Sequence, residues 1–161
     1  MTKVTIITGP PGSGKTTYVK NRMFWGDLVL DQDALYSALS LLEFHEKPIG
    51  LWPFVNAARE AVITQLKADC SDDVRHVWLI TCEADLPKLK KLKADLGADL
   101  VVLSVDVNEC LRRIQGDPNR KGDILIWKGW IDKWWRKRMD WELDPDYKVL
   151  FVIKVGPSPP G

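Results

Sequence analysis

Apolar residues along the chain gather into short runs, and longer stretches with helical spacing separate them. Lys3-Val4-Thr5-Ile6-Ile7-Thr8 is β-branched and nearly free of charge, the composition of a strand buried on both faces. Leu28-Val29-Leu30, Val77-Trp78-Leu79-Ile80 and Leu100 to Val105 repeat that signal, and Tyr147 to Val155 adds a fifth run. Helical patterns fill the intervals: about Lys15 to Asn21, Asp33 to Ser40, about Phe54 to Ala68, and Asn108 to Ile114. A Lys-rich helix is opened by Asp85 and Pro87 and closed near Gly97, and a last long one runs from Ile124 to Trp141. Glu43 to Pro53 reads as an ordered loop, Gln115 to Asp123 as a polar one, and the closing Gly-Pro-Ser-Pro-Pro-Gly over 156–161 as a flexible tail. Strands alternating with helices predict an α/β fold, a three-layer αβα sandwich around a parallel sheet, in a single domain over 1–155.

Length and charge narrow the class. The 161 residues suit one domain, and 23 lysines and arginines against 22 acids leave a net charge of +1. A strongly basic nucleic-acid coat protein is thereby excluded, so any nucleic-acid contact must come from local patches. Three scattered cysteines form no metal-spaced pair, which fits a reduced, cytoplasmic protein. No apolar run reaches about 18 residues, so no membrane span is expected. Eight tryptophans are present, and five of them (Trp127, Trp130, Trp134, Trp135, Trp141) fall in the last helical segment and at its end.

The sharpest signal follows the first strand. Gly9-Pro10-Pro11-Gly12-Ser13-Gly14-Lys15-Thr16, with Thr17 next, matches G-x-x-x-x-G-K-[ST] at every fixed position. The glycines let successive backbone N–H groups turn inward around a phosphate, and the helix that follows points its positive end at the same place. Lys15 is then the residue that reaches the β and γ phosphates of ATP, and the Thr16 hydroxyl the one that ligates Mg²⁺. A plain glycine turn would require neither side chain. Guanine selectivity is unsupported, because the two x-K-x-D tetrads (Leu66 to Asp69, Leu92 to Asp95) begin with leucine and sit in helical pattern.

Phosphoryl transfer is mostly positioning and charge neutralisation, so carboxylates and further cations are needed around the loop. Asp31 and Asp33 follow the second strand, at the carboxyl edge of the sheet where phosphates lie. Asp33 fits a catalytic base and equally the N-cap of the helix it opens. Asp31 fits a water-mediated Mg²⁺ contact or an ordinary turn residue; Glu83 and Asp106 end apolar runs of their own, and either fits an outer Mg²⁺ acid or a polar strand end. Between Arg112 and Arg138 nine cations face three acids. Arg113 and Arg120 are the lid candidates there, with a lid at about 115–123 that closes over the phosphates and excludes water. Lys133, Arg136, Lys137 and Arg138 read instead as a solvated helix face; Arg59 fits a surface cation and His45 a loop hydrogen-bonder, with contact to an acceptor as the alternative for both. The tryptophan stripe fits core or interface packing, with stacking of nucleobases as its functional alternative.

Taken together, GPPGSGKTTYV, VLDQDALYSAL, VWLIT and LSVDVNECLRRI followed by DPNR resemble the small P-loop kinase and ATPase family. That family includes bacteriophage polynucleotide kinase domains, zeta-toxin-like kinases and short phage-encoded AAA-type ATPases. HEKPIGLWPFVNAAREAVITQL and the Trp-rich helix look most like the short phage proteins. The resemblance implies a five-stranded sheet in the order 2-3-1-4-5, ATP·Mg²⁺ as donor, a lid after the fourth strand, Asp33 at the general-base position, and Arg113 and Arg120 among the lid cations. Two stretches depart from the pattern: Cys82-Glu83-Ala84 after the third strand, and Val105-Asp106-Val107-Asn108, which lacks the usual proline.

The expectation is an ATP-dependent phosphotransferase acting on a hydroxyl of a nucleotide or a nucleic-acid 5′ end. An ATP-hydrolysing accessory module of phage DNA-processing machinery, docking a protein partner through helix 124–141, is the alternative.

Overall fold

The computed structural model describes residues 2–69, 72–120, 122–145 and 152–155. Five parallel strands form one sheet: β1 (Lys3–Thr8), β2 (Leu28–Asp31), β3 (His76–Thr81), β4 (Asp99–Leu103) and β5 (Val152–Val155), in the order β2-β3-β1-β4-β5. Register is continuous across the middle of the sheet, with Ile6 of β1 level with Leu79 on one side and Leu100 on the other. The 147–151 part of the expected fifth strand and the 156–161 tail lie outside the described residues.

Because side chains alternate across a strand, the sheet has two apolar faces. One carries Val4, Ile6, Val77, Leu79, Leu100 and Val102, and is covered by Ile63 of α3 (Trp52–Ala68), Leu89 of α4 (Leu86–Leu96) and Trp134 of α6 (Ile124–Met139). The other carries Ile7, Trp78, Ile80, Val101 and Leu103, against Val19 of α1 (Lys15–Lys20). A third cluster joins α5 (Val107–Gln115) to α6 through Cys110, Ile114, Trp127 and Ile131.

Aspartates start the helices by capping their first free N–H groups. Asp85 accepts from Lys88 N, Asp106 from Glu109 N, Asp123 from Leu125 N, and Asp31 from Asp33 N at the head of α2 (Gln32–Ser40). Asp33 is thus not the N-cap; it lies one residue inside the helix, and its carboxylate is free for other partners. Three boundaries differ from the sequence pattern. Helix α3 begins at Trp52, two residues before Phe54, because Pro53 at its first turn needs no N–H partner. Strand β4 stops at Leu103, where a tight turn sends Val105 N to the Leu103 carbonyl. Helix α6 stops at Met139, and a 3₁₀ turn over Asp140–Leu143 swings Trp141 under the sheet edge. There Trp141 is fully buried, and its Nε1 donates to the Ala84 carbonyl at 2.7 Å.

Strand β1 lies between β3 and β4, and the chain leaves β1 and β4 in opposite directions, toward β2 and toward β5. In open α/β sheets such a divergence at the carboxyl ends of strands opens the crevice that receives ligands.

Candidate active site

The glycine loop bridges β1 and α1 in a conformation that its sequence demands. Gly12 and Gly14 have φ of 80° and 88°, the left-handed region that other residues resist. A Cβ on Gly12 would stand 2.8 Å from the Cys110 carbonyl oxygen, so α5 packs directly on the loop. Lys15 Nζ donates to the carbonyls of Gly9 and Pro10 at 2.8 and 2.9 Å, which holds the ammonium across the loop. Ser13 is buried and its Oγ has no hydrogen-bond partner among the described residues.

Arg113 belongs to the loop's support. Its Nη1 donates to the Ser13 carbonyl at 3.1 Å and its Nε to Glu109 at 2.9 Å. Hydrogen bonds from Arg112 and Arg113 keep the Glu109 carboxyl ionised down to a pKa of about 2. Arg113 does not line the central cavity; it lies on α5, before the 115–123 segment, with its guanidinium drawn onto the loop.

A cavity of about 710 Å³ opens beside the loop, at the carboxyl ends of β1, β2 and β3. Pro11, Gly12, Gly14, Lys15, Thr16 and Thr17 line one side, and Asp31 and Asp33 line it beyond them. Gly9, Pro10 and Ser13 stand behind that surface. Asp31 is 7% exposed, and burial together with the nearby Asp33 charge pushes its carboxyl up to about 6. Asp33 is shifted the other way. Burial works to raise it, but hydrogen bonds from His45 and Lys47 and their charges outweigh that and hold it well below the usual carboxylate range. Lys47 Nζ lies 2.7 Å from Oδ1, and His45 Nδ1 lies 3.1 Å from Oδ2.

His45 adopts φ 77°, a strained setting for a residue with a Cβ, and its side chain is only 9% exposed. Its other ring nitrogen stands 3.9 Å from Asp117, which in turn takes Arg120 Nε at 3.3 Å. The Arg120 guanidinium lies over the Trp127 ring, 5.0 Å from its centroid. A chain of contacts therefore runs from Asp33 through His45 to the polar loop, and Arg120 lines the cavity from that loop. Lys121 lies outside the described residues.

The stripe on α6 divides. Trp127, Trp134 and Trp141 are buried, whereas Trp130 is half exposed and meets Trp127 edge to face at 5.0 Å. Trp127, Trp130 and Trp134 also form one wall of the cavity, together with Lys133 and Lys137. Arg138 differs from the expected solvated helix face, being buried over the Trp141 ring; Lys133, Arg136 and Lys137 are exposed, as expected of such a face, although Lys133 and Lys137 also line the cavity. Arg59 lines it too, from α3, rather than standing as a surface cation. Their signal in the sequence was spacing, since 130, 133, 134 and 137 share a helix face. Glu83 lines the cavity while its carboxylate accepts from Ala84 N and Asp85 N; Asp106 caps α5 and does not line it. Among the described residues no cluster of three or more His, Cys, Asp or Glu forms a metal site, and no helix is long and apolar enough to cross a membrane.

No known protein family and no curated protein matches the chain by sequence. Its structure is similar to small P-loop kinases. A chain of the Pnkp1/Rnl/Hen1 RNA repair complex aligns with a TM-score of 0.61 at 21% identity, over 85% of this chain and 44% of that one. This chain thus spans less than half the length of that relative. Shikimate kinase from Acinetobacter baumannii aligns at 0.57 and 18% identity, over 100% of this chain and 86% of that one. A gluconokinase from Sinorhizobium meliloti aligns at 0.53 and 13% identity, over 98% and 83%. At these identities the shared property is the fold.

Proposed function

We propose that the protein is an ATP-dependent phosphotransferase that moves the γ-phosphate to a hydroxyl of a nucleotide or a nucleic-acid 5′ end. The observation that carries this reading is the meeting of Lys15, Thr16, Asp31, Asp33 and Arg120 in one cavity. Similarity to small P-loop kinases supports the transfer chemistry, and the nucleic-acid acceptor draws on the RNA repair complex among the structural relatives.

In this reading the loop from Gly9 to Thr17 wraps the phosphates with backbone N–H groups, and Lys15 leaves the Gly9 and Pro10 carbonyls for the β and γ oxygens. The residues present fit a magnesium ion. Thr16 and the buried Asp31 line the same cavity, and burial without a cation has already made the Asp31 charge costly. Magnesium supplies charge neutralisation and orientation of the phosphate oxygens. Asp33 is ionised at neutral pH, so it accepts a hydrogen bond from the acceptor hydroxyl and aims its oxygen at the γ-phosphorus. The new P–O bond forms as the bond to the leaving ADP breaks, and the hydroxyl proton passes to the Asp33 carboxylate. Arg120 offsets charge on the transferring group, and the polar loop excludes water.

A second reading, an ATP-hydrolysing switch that docks a protein partner, draws on the exposed Leu125, Ile126 and Trp130 along α6. Incubation with γ-labelled ATP, Mg²⁺ and a panel of oligonucleotides, nucleosides and small alcohols separates the two. Label in an acceptor supports transfer, whereas label only in free phosphate, rising when a partner is added, supports the switch.

A further inference from the structure

His45 takes no direct part in the transfer step, yet it is held where a side chain of merely structural use has little reason to be. Its backbone is strained at φ 77°, its side chain is 9% exposed, and it lines the cavity. Strain of that kind persists where the surroundings over-determine it, and it gathers at functional sites. Two aromatic rings meet the imidazole edge to face, Phe44 at 4.5 Å and Trp127 at 6.4 Å between centroids.

The two ring nitrogens face carboxylates on different elements. Nδ1 lies 3.1 Å from Asp33 Oδ2 at the head of α2, and Nε2 lies 3.9 Å from Asp117 Oδ2 in the polar loop. Asp33 is ionised, so its oxygen can only accept, and Nδ1 must carry the hydrogen. In the neutral ring Nε2 is then bare, and its lone pair faces a negative oxygen. A proton on Nε2 turns the same approach into an ion pair. Other charges act on the ring through these two acids. Lys47 Nζ sits 2.7 Å from Asp33 Oδ1, Asp31 adds its charge near Asp33, and Arg120 Nε sits 3.3 Å from Asp117 Oδ2. Asp117 Oδ1 meanwhile accepts from Asn119 N at 2.9 Å, so this one acid both shapes the polar loop and holds its arginine.

Resting on the phosphotransferase reading, we infer that His45 is a positioning residue, a strap that aims Asp33 through Nδ1 and, when protonated, holds the polar loop through Nε2 and Asp117. Arg120 moves with Asp117, so the base and the cation over the transferring group come into place together. Loss of the proton leaves a lone pair against a carboxylate and frees the loop, while the hydrogen bond to Asp33 is kept. Histidine suits this task because its charge changes across neutral pH.

His45→Asn is the direct test, because asparagine tolerates the left-handed backbone at this position and carries no titrating ring. One readout needs no turnover: amide hydrogen exchange over 116–123 in the ligand-free protein, parent against variant at the same pH so that intrinsic rates cancel. At about pH 5.5 the parent segment should exchange at least about fivefold more slowly than the variant, and at about pH 8.5 the two should agree within about twofold. Asp117→Asn, which keeps an oxygen for the Asn119 N–H, should show the same loss of protection and of its pH dependence. In transfer from γ-labelled ATP at about pH 5.5, His45→Asn should lower kcat by about tenfold or more and keep the KM for ATP within about twofold. The ratio of parent to variant kcat should shrink as pH rises to about 8.5, where only the aim of Asp33 still separates them.

Equal exchange over 116–123 in parent and His45→Asn at both pH values overturns the inference, whether or not an acceptor is labelled. Unchanged kcat in His45→Asn, where the parent does label an acceptor, overturns its hold on Asp33. Protection lost in both variants with no acceptor labelled leaves the strap on the polar loop standing and removes phosphotransfer.

Discussion

Two carboxylates separated by one residue have been driven in opposite directions by their surroundings. Asp31 is walled in and its carboxyl sits at about 6, while Asp33, held by His45 and Lys47, stays ionised far into acid. The divergence comes from surroundings: burial penalises the Asp31 charge, whereas two hydrogen-bond donors hold the Asp33 charge in place. Replacement of Asp33 by Asn should preserve ATP affinity and slow acceptor phosphorylation by about 10²-fold or more, checked by single-turnover transfer from labelled ATP. Asp31 makes a separate prediction about stability. Its proton is bound more tightly in the folded than in the unfolded chain, so it favours folding at low pH. That contribution is lost as pH rises from the ordinary 3.8 through about 6. Asp31→Asn keeps an oxygen to cap Asp33 N and should flatten the fall in Tm across that window, with magnesium-dependent ATP binding weakened at pH 8. Thermal melts of the ligand-free protein at pH 4.5, 6 and 8, in steps of about the width of one titration, read the difference.

At the scale of elements, α5 and the polar loop after it divide the work assigned to two arginines. Arg113 grips the Ser13 carbonyl, whereas Arg120 lies against Trp127 and lines the cavity. Arg113→Gln should therefore raise the KM for ATP through a loosened loop, with a smaller effect on turnover. Arg120→Gln should lower kcat by about 10²-fold with the KM for ATP nearly kept, the size found for one preorganised donor to a charged transition state. Steady-state kinetics with varied ATP separate the two patterns, and matching losses in both constants for both variants would remove the distinction. Both arginines were visible in the sequence as cations near a polar loop. Their different tasks were not, since one is two residues before the helix end and the other five beyond it, and only the direction of each side chain separates them.

For the whole molecule, ligand binding and stability are linked. Saturation at 100-fold over Kd adds about 2.7 kcal/mol, which for a domain of this size is a Tm rise of roughly 5–10 °C. ATP with Mg²⁺ should produce a shift of that order in a thermal scan, and Lys15→Ala should abolish most of it while melting near the parent temperature without ligand. The alternation of apolar runs and amphipathic stretches was enough to predict the parallel sheet and its helices, because strand and helix periods are local properties of the chain. Asp85 and Gly97 marked the two ends of α4 for the same reason, whereas the caps at Asp31 and Asp106 lie two residues before the expected starts at Asp33 and Asn108. The sequence also determined the phosphate loop by itself: the turn needs glycine where φ is positive, and the lysine and threonine must follow at fixed offsets. Tertiary structure alone decided which side of α6 meets the cavity and which is core. A tryptophan-and-lysine face has the same period whether it covers a sheet or lines a site, and only its packing against α5 and the sheet makes the difference. It also decided that His45 and Lys47 clasp Asp33, since a loop between helices has no periodicity from which its side-chain partners can be read.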